Sequence, residues 1–142
     1  LIISSSTLHW VHDLPELCRK FHRHLQPGGI LAFSLYGKDN LREIRSVTGM
    51  GLAYRDLEQL QTVVGEKFEI LAAEEARETL WYPEPSAVLQ HLRATGVNSI
   101  GQQAWTRRQV NAFIADYKSQ FSGDQGVRLT YHPMFIVARP RS

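Results

Sequence analysis

Cysteine is nearly absent from this 142-residue chain, with Cys18 as its single example. One thiol cannot close an internal disulfide, so nothing here asks for an oxidising compartment. Charge of one sign is equally scarce. Sixteen Lys and Arg face 14 Asp and Glu, for a formal net charge of +2, and the charges are interspersed. That is no nucleic-acid footprint, which needs a concentrated basic patch. No apolar run approaches the roughly 18 residues of a membrane span, and no basic-then-apolar signal segment opens the chain. The expected protein is cytoplasmic, with neither nucleic acid nor membrane as partner. A Gly-rich strand-turn-helix is missing too. Gly28-Gly29 and Gly49-Met50-Gly51 lack the setting in which glycines let backbone approach a ligand.

What is present is a hydrophobic content of 43%, enough for one core at this length. The chain opens Leu1-Ile2-Ile3, already inside an apolar β-type run. Natural domains rarely start in mid-strand, so a piece of something longer is expected. Ser4-Ser5-Ser6-Thr7 follows as a polar turn. Asp13 with Glu16 resembles a capping box, and Pro15 suits a first helical turn. Leu14, Leu17, Cys18, Phe21 and Leu25 then recur every three or four residues, the stripe of a packed helix. Pro27-Gly28-Gly29 ends it, and Ile30 to Tyr36 reads as a strand of a parallel sheet. Residues 1–36 are thus expected to form one right-handed βαβ unit.

Residues 37–81 read as helices and a strand: Leu41, Ile44 and Val47 in one helix, Asp56 to Val64 in another, and Phe68 to about Thr79 as the strand. Tyr82-Pro83-Glu84-Pro85 is a rigid turn. Residues 82–121 carry two amphipathic helices, one through Val88, Leu89 and Leu92 and one capped by Thr106 with Gln109. A final strand is expected over 127–139. The fold class is α/β.

Ser4-Ser5-Ser6-Thr7-Leu8-His9-Trp10-Val11, then a capped helix, then Leu25-Gln26-Pro27-Gly28-Gly29-Ile30, resembles the second half of a class I, Rossmann-like methyltransferase. Later landmarks narrow the likeness. Leu92 to Asn98, Thr106-Arg107-Arg108, and Leu129-Thr130-Tyr131-His132 with Phe135 are similar to the C-terminal landmarks of the BioC family, the malonyl-acyl carrier protein O-methyltransferases of biotin synthesis. Family members often carry Asn at the place of Ser5 and Gln at the place of His9. The resemblance implies the C-terminal half of the sheet, residues 82–121 as a helical lid insertion, and S-adenosylmethionine as cofactor. It also implies that the cofactor's Gly-rich loop lies in a half this chain does not contain. Useful cofactor affinity is therefore not expected of the chain alone. Self-association through its first strand is expected instead.

The same resemblance implies methyl transfer to the free carboxylate of a malonyl thioester on acyl carrier protein. That nucleophile is ionised at neutral pH and needs no general base. No catalytic triad is therefore sought. Ser4, Ser5 and Ser6 are the cofactor candidates, at the strand end where open α/β sheets place ligands. His9 and Trp10 are candidates for the pocket wall, and Tyr131 for a hydroxyl within it; each also reads as an ordinary core or turn residue. Arg93, with Arg77 and Arg107 behind it, is the candidate for the malonyl carboxylate, since a guanidinium binds carboxylates bidentately. Arg19, Lys20, Arg23, Arg42 and Arg45 are candidates for steering an acidic carrier, or simply a solvated face.

No metal site is expected. His22 and His24 point to different sides of a helix, and His9 and His12 have no third ligand nearby. Cys18 belongs to its helix's apolar stripe. Two other readings stay open: a methyltransferase for a small carboxylic acid, such as one resembling trans-aconitate methyltransferase, or a non-catalytic interaction domain.

Overall fold

The computed structural model describes residues 1–96 and 104–142; Val97 and Asn98 of the landmark above lie outside the described residues. The chain divides into two units, Leu1–Asn40 with Ala53–Arg77 and His132–Ser142, and Leu41–Leu52 with Glu78–Tyr131. Each builds its own hydrophobic core, where composition alone had suggested one.

The first unit holds β1 (Ile2–Ser5), α1 (Leu14–His24) and β2 (Leu31–Tyr36). The Asp13 carboxylate accepts from the Glu16 N–H at 2.8 Å, capping α1. Glu16 does not complete a capping box; its own carboxylate accepts from Arg19 Nε at 2.8 Å. Leu14 and Cys18 are fully buried. Burial, with Glu66 adding to it, pushes the Cys18 thiol up to about 11, so it is a core residue and not a thiolate at neutral pH. β1 and β2 pair in parallel, Ile2 opposite Leu31 through Ser5 opposite Ser34, which gives the expected strand-helix-strand order. Along β2, Leu31, Phe33 and Leu35 are buried while Ala32, Ser34 and Tyr36 are half-buried.

The same unit contains α3 (Leu57–Gly65), then β3 (Phe68–Glu75) and β7 (Pro133–Pro140). Asp56 and Gln59 form a full capping box at the start of α3. The sheet order is β1-β2-β7-β3. β7 is inserted antiparallel to both β2 and β3. Leu60, Val64 and Phe68 pack with Leu31, Met134 and Ile136 in the core.

The second unit comprises α2 (Arg42–Thr48), β4 (Glu78–Tyr82), α4 (Pro85–Ala94), α5 (Arg107–Phe121), β5 (Ser122–Gly123) and β6 (Gly126–Tyr131). Its strands form a separate antiparallel sheet in the order β4-β6-β5. The Thr106–Gln109 capping box is present at α5. Ile44, Val88, Leu92, Phe113, Tyr117 and Leu129 make its core.

Two runs that look continuous in sequence are therefore divided. The strand expected from Phe68 to about Thr79 breaks after Glu75, and its remainder, Glu78–Tyr82, pairs with β6. The strand expected over 127–139 breaks at His132, so only Pro133–Pro140 joins the first sheet. Period-2 alternation cannot show such a change of sheet, because both pieces keep the same in-out pattern.

Candidate functional site at the end of the parallel strands

The C-terminal ends of β1 and β2 lie side by side, Ser5 opposite Ser34. At this edge the chain turns sharply, and Ser6 adopts φ +50°, a left-handed conformation that costs a non-glycine residue about 1–2 kcal/mol. The turn is tied down on both sides. The Ser6 N–H donates to the Ser34 carbonyl at 3.0 Å and approaches the Ser34 hydroxyl at 3.2 Å. Ser34 Oγ donates to Ser5 Oγ at 3.4 Å, and Thr7 Oγ1 donates to the Ser5 carbonyl at 2.8 Å. Ser4 sits within the strand opposite Phe33. The Ser6 amide is thus committed to β2, which leaves the Ser5 and Ser34 hydroxyl pair as the polar group of the turn.

A single helical turn, Leu8–Trp10, follows, anchored by buried Leu8. It holds the His9 ring 5.2 Å from Trp10, 6.0 Å from Tyr36 and 6.5 Å from Tyr54, centroid to centroid. Trp10 remains 52% exposed. Burial lowers the pKa of His9, so the imidazole is neutral at neutral pH. Its Nδ1 atom is buried and makes no hydrogen bond among the described residues. A buried polar atom without a partner is costly.

His9 and Trp10 were singled out from the sequence, and the structure does bring them together. Tyr36 and Tyr54 were not. Tyr36 had a positional signal, as the last residue of a strand beside Ser5. Tyr54 had none, because it reaches the site only through the fold.

The arginine candidates separate by their partners. Arg77 is in the first unit, with Nε 2.7 Å from Asp39 Oδ2 and Nη1 3.5 Å from Glu75 Oε1, so its charge is already matched. Arg93 on α4 and Arg107 at the start of α5 are exposed, and neither has an ion-pair partner among the described residues. Of the residues expected to steer a carrier, Arg19 and Arg23 share Glu16, while Arg42 lies 3.7 Å from the Glu43 carboxylate.

Tyr131, in the second unit, has its hydroxyl 2.8 Å from His91 Nε2. The His91 ring is also 5.4 Å from Tyr82, and burial raises the pKa of Tyr82. His91 had no motif to announce it. The same unit has a groove of about 310 Å³ lined by Val47, Thr48, Met50, Trp105, Gln109, Ala112, Phe113 and Asp116. Among the described residues no helix is long and apolar enough to cross a membrane.

Known proteins bear on this arrangement in three ways. The family pattern for a methyltransferase domain matches residues 1–33. A malonyl-[acyl-carrier protein] O-methyltransferase of Prosthecochloris aestuarii is 43% identical over 98% of this chain and 52% of its own length. One from Haemophilus influenzae is 42% identical over 98% of this chain and 54% of its own. The chain therefore spans about half the length of the curated relatives it matches. Among solved structures, a candidate methyltransferase of Bacillus halodurans superposes with a TM-score of 0.64 at 11% identity, over 99% of this chain and 63% of that one. The YcgJ protein of Bacillus subtilis gives 0.56 at 11%, over 99% and 64%. Similarity at that identity concerns the fold alone, whereas the curated relatives align at 42–43% identity over 98% of the chain. The chain is therefore similar, over about half of their length, to the malonyl-[acyl-carrier protein] O-methyltransferases, and its mixed α/β fold aligns with part of those solved structures.

Proposed function

We propose that the protein carrying this chain transfers a methyl group from S-adenosylmethionine to the free carboxylate of a malonyl thioester held on acyl carrier protein, in biotin synthesis. One observation carries the reading. The general methyltransferase pattern ends at residue 33, yet identity of 36–43% with relatives named for malonyl-acyl carrier protein extends over 96–98% of the chain. An alignment of that length runs through the second unit as well, and a fold in common would not by itself demand such identity.

S-adenosylmethionine supplies the methyl group, carried on a sulfonium. The chain's own residues have only to bind, orient and exclude water. A malonyl carboxylate, with a reference pKa near 4, is already ionised at neutral pH. No residue need take its proton, and alignment alone can lower the barrier by roughly 7–11 kcal/mol. The site at the end of β1 fits part of such a cofactor. His9 Nδ1 wants a hydrogen-bond partner, and three aromatic rings stand around the imidazole. Aromatic faces attract cations. Ser5 and Ser34 add a hydroxyl pair beside it, with Ser4 and Ser6 holding the turn.

Arg93, with no ion-pair partner among the described residues, is assigned to the malonyl carboxylate, and Arg107 stands behind it. Arg77 is set aside, because Asp39 and Glu75 already neutralise it. Tyr131 is assigned to the acyl pocket together with His91. Acyl carrier protein, which is acidic, is the partner, and the exposed basic groups favour its approach.

The test is methyl transfer by the intact protein to malonyl-acyl carrier protein and, separately, to free small carboxylic acids. The assay needs the intact protein, since the 142-residue chain has no Gly-rich loop with which to hold the cofactor. The expected product is the malonyl methyl ester, still thioester-linked to the carrier. Methylation of free acids alone would transfer the assignment to a small-acid methyltransferase. No methylation of either would favour a binding module.

The chain alone is also expected to self-associate. β1 is an edge strand; Ile3 is 69% exposed on it, and Leu1 just before it is 78% exposed. Such an edge offers unpaired backbone groups to another copy. Sedimentation should show dimers or larger species as concentration rises. A clean monomer at high concentration would contradict this.

A further inference from the structure

At the same sheet edge, β2 ends at Tyr36, and β7 begins at Pro133 directly opposite it. His132 stands just before that point and is 1% exposed. Both of its ring nitrogens are occupied. Nδ1 accepts from the Asp39 backbone N–H at 3.1 Å, and Nε2 lies 2.7 Å from Glu75 Oε2. A nitrogen that accepts an amide proton carries none itself, so the ring proton is on Nε2 and is donated to Glu75. The hydrogen bond from His132, together with Arg77, holds the Glu75 carboxyl below the usual carboxylate range. The His132 backbone is used as well. Its carbonyl accepts from the Gly37 N–H at 2.8 Å, and its N–H donates to Asn40 Oδ1 at 3.1 Å.

The loop from Gly37 to Asn40 is therefore moulded on one imidazole. A Cβ at position 37 would stand 2.4 Å from His132 Cε1, so the ring and a glycine require each other. Asn40, 2% exposed, passes the constraint outward, its Nδ2 donating to the Tyr54 hydroxyl at 3.4 Å. Tyr54 is one of the rings around His9.

We infer that His132 is a positioning residue: through Asn40 it sets Tyr54, and so the aromatic wall against His9, without touching a ligand itself. Its functional meaning rests on the proposed reading of the β1 edge, but its structural content does not. The geometry links four residues from four separate stretches of sequence, with His132 reaching Asn40 through its backbone N–H and the other contacts made by side chains. Each member is held by a hydrogen bond or a ring contact, and a shift of an ångström at such a wall can cost up to 10²-fold in rate.

The experiment is ¹⁵N-imidazole and ring-proton NMR on the chain, with kinetics on the intact protein. In the wild type, His132 should show an acceptor-type Nδ1 and a protonated Nε2. His132→Ala should move the Tyr54 ring and His9 imidazole signals and lower kcat by about 10–100-fold. KM for the acyl carrier substrate should hardly change. His132→Asn, whose side-chain oxygen replaces the acceptor for Asp39, should recover part of both effects.

If His132→Ala fails to fold, Asn40→Asp decides the matter. It keeps the acceptor for the His132 N–H but removes the donor to Tyr54, and it should shift Tyr54 and His9 together. A protonated Nδ1, or a folded variant that leaves Tyr54 and His9 unmoved, would overturn the inference. Absence of methyl transfer by the wild type would instead sink the proposed activity, while the NMR result would still decide the role of His132.

Discussion

Replacing Glu43 by alanine is expected to destabilise the second unit by about 3–6 kcal/mol, from two lost hydrogen bonds to a charged acceptor at roughly 1.5–3 kcal/mol each. Glu43 is completely buried on α2. Its carboxylate accepts from the Thr130 N–H at 3.0 Å and from Thr130 Oγ1 at 2.6 Å, and Thr130 is itself buried on β6. Alanine would leave both donors dry and unpaired. The neighbouring arginines are a smaller matter. Arg42 and Arg128 approach Glu43 at 3.7 and 3.6 Å, beyond hydrogen-bond reach, and much of each arginine side chain remains exposed. Arg128 also lies over the Phe121 ring, 5.5 Å from its centroid.

Glu43→Gln, which retains an acceptor, should therefore cost much less than Glu43→Ala. Urea unfolding followed by a probe within α5 or β6 checks this, because two units with separate cores need not unfold together. A loss below about 1 kcal/mol for Glu43→Ala would mean that Thr130 finds other partners, and the clamp between α2 and β6 would lose its meaning.

Gly126→Ala is expected to cost about 2–5 kcal/mol, the sum of a left-handed backbone penalty and overpacking. Gly126 has φ +110°, and an added Cβ would stand 2.0 Å from the Tyr82 carbonyl oxygen and 3.0 Å from its carbon. The obstruction is backbone, so no rotamer change relieves it. Relief would require moving β6 from β4 where Val127 pairs with Tyr82. Loss of amide-exchange protection along Glu78–Tyr82 should accompany the fall in stability. An unchanged melting temperature would contradict the close approach.

How much of this was legible beforehand depends on the distance in sequence over which each feature is decided. Asp13 announces α1, and Thr106 with Gln109 announces α5, since a cap and its partner are three residues apart and need no tertiary information. The stripe from Leu14 to Leu25 and the turn at Pro27-Gly28-Gly29 carry the first crossover for the same reason. Ser4, Ser5, Ser6, His9 and Trp10 were candidates because strand ends collect ligands in such sheets. What they bond to was not legible. The Ser6 N–H finds Ser34 across 28 positions, and Asp39 finds His132 across 93.

The division of 127–139 at His132 illustrates the rest. Val127 and Leu129 belong to one core and Met134, Ile136 and Ala138 to another, yet all five are simply alternate apolar residues in the sequence. Arg77 looked available until Asp39 and Glu75 were found beside it. Tyr54, His91 and Glu43 carried no motif. The sequence by itself determined the helix caps, the apolar stripes, the parallel start of the sheet and the family likeness, because these are read from neighbours or from matched strings of residues. Only the tertiary structure decided which strand changes sheets, which arginine is already neutralised and which imidazole anchors the loop beside the site. Those outcomes depend on pairings between distant residues, whose energies arise only when burial removes water from around them.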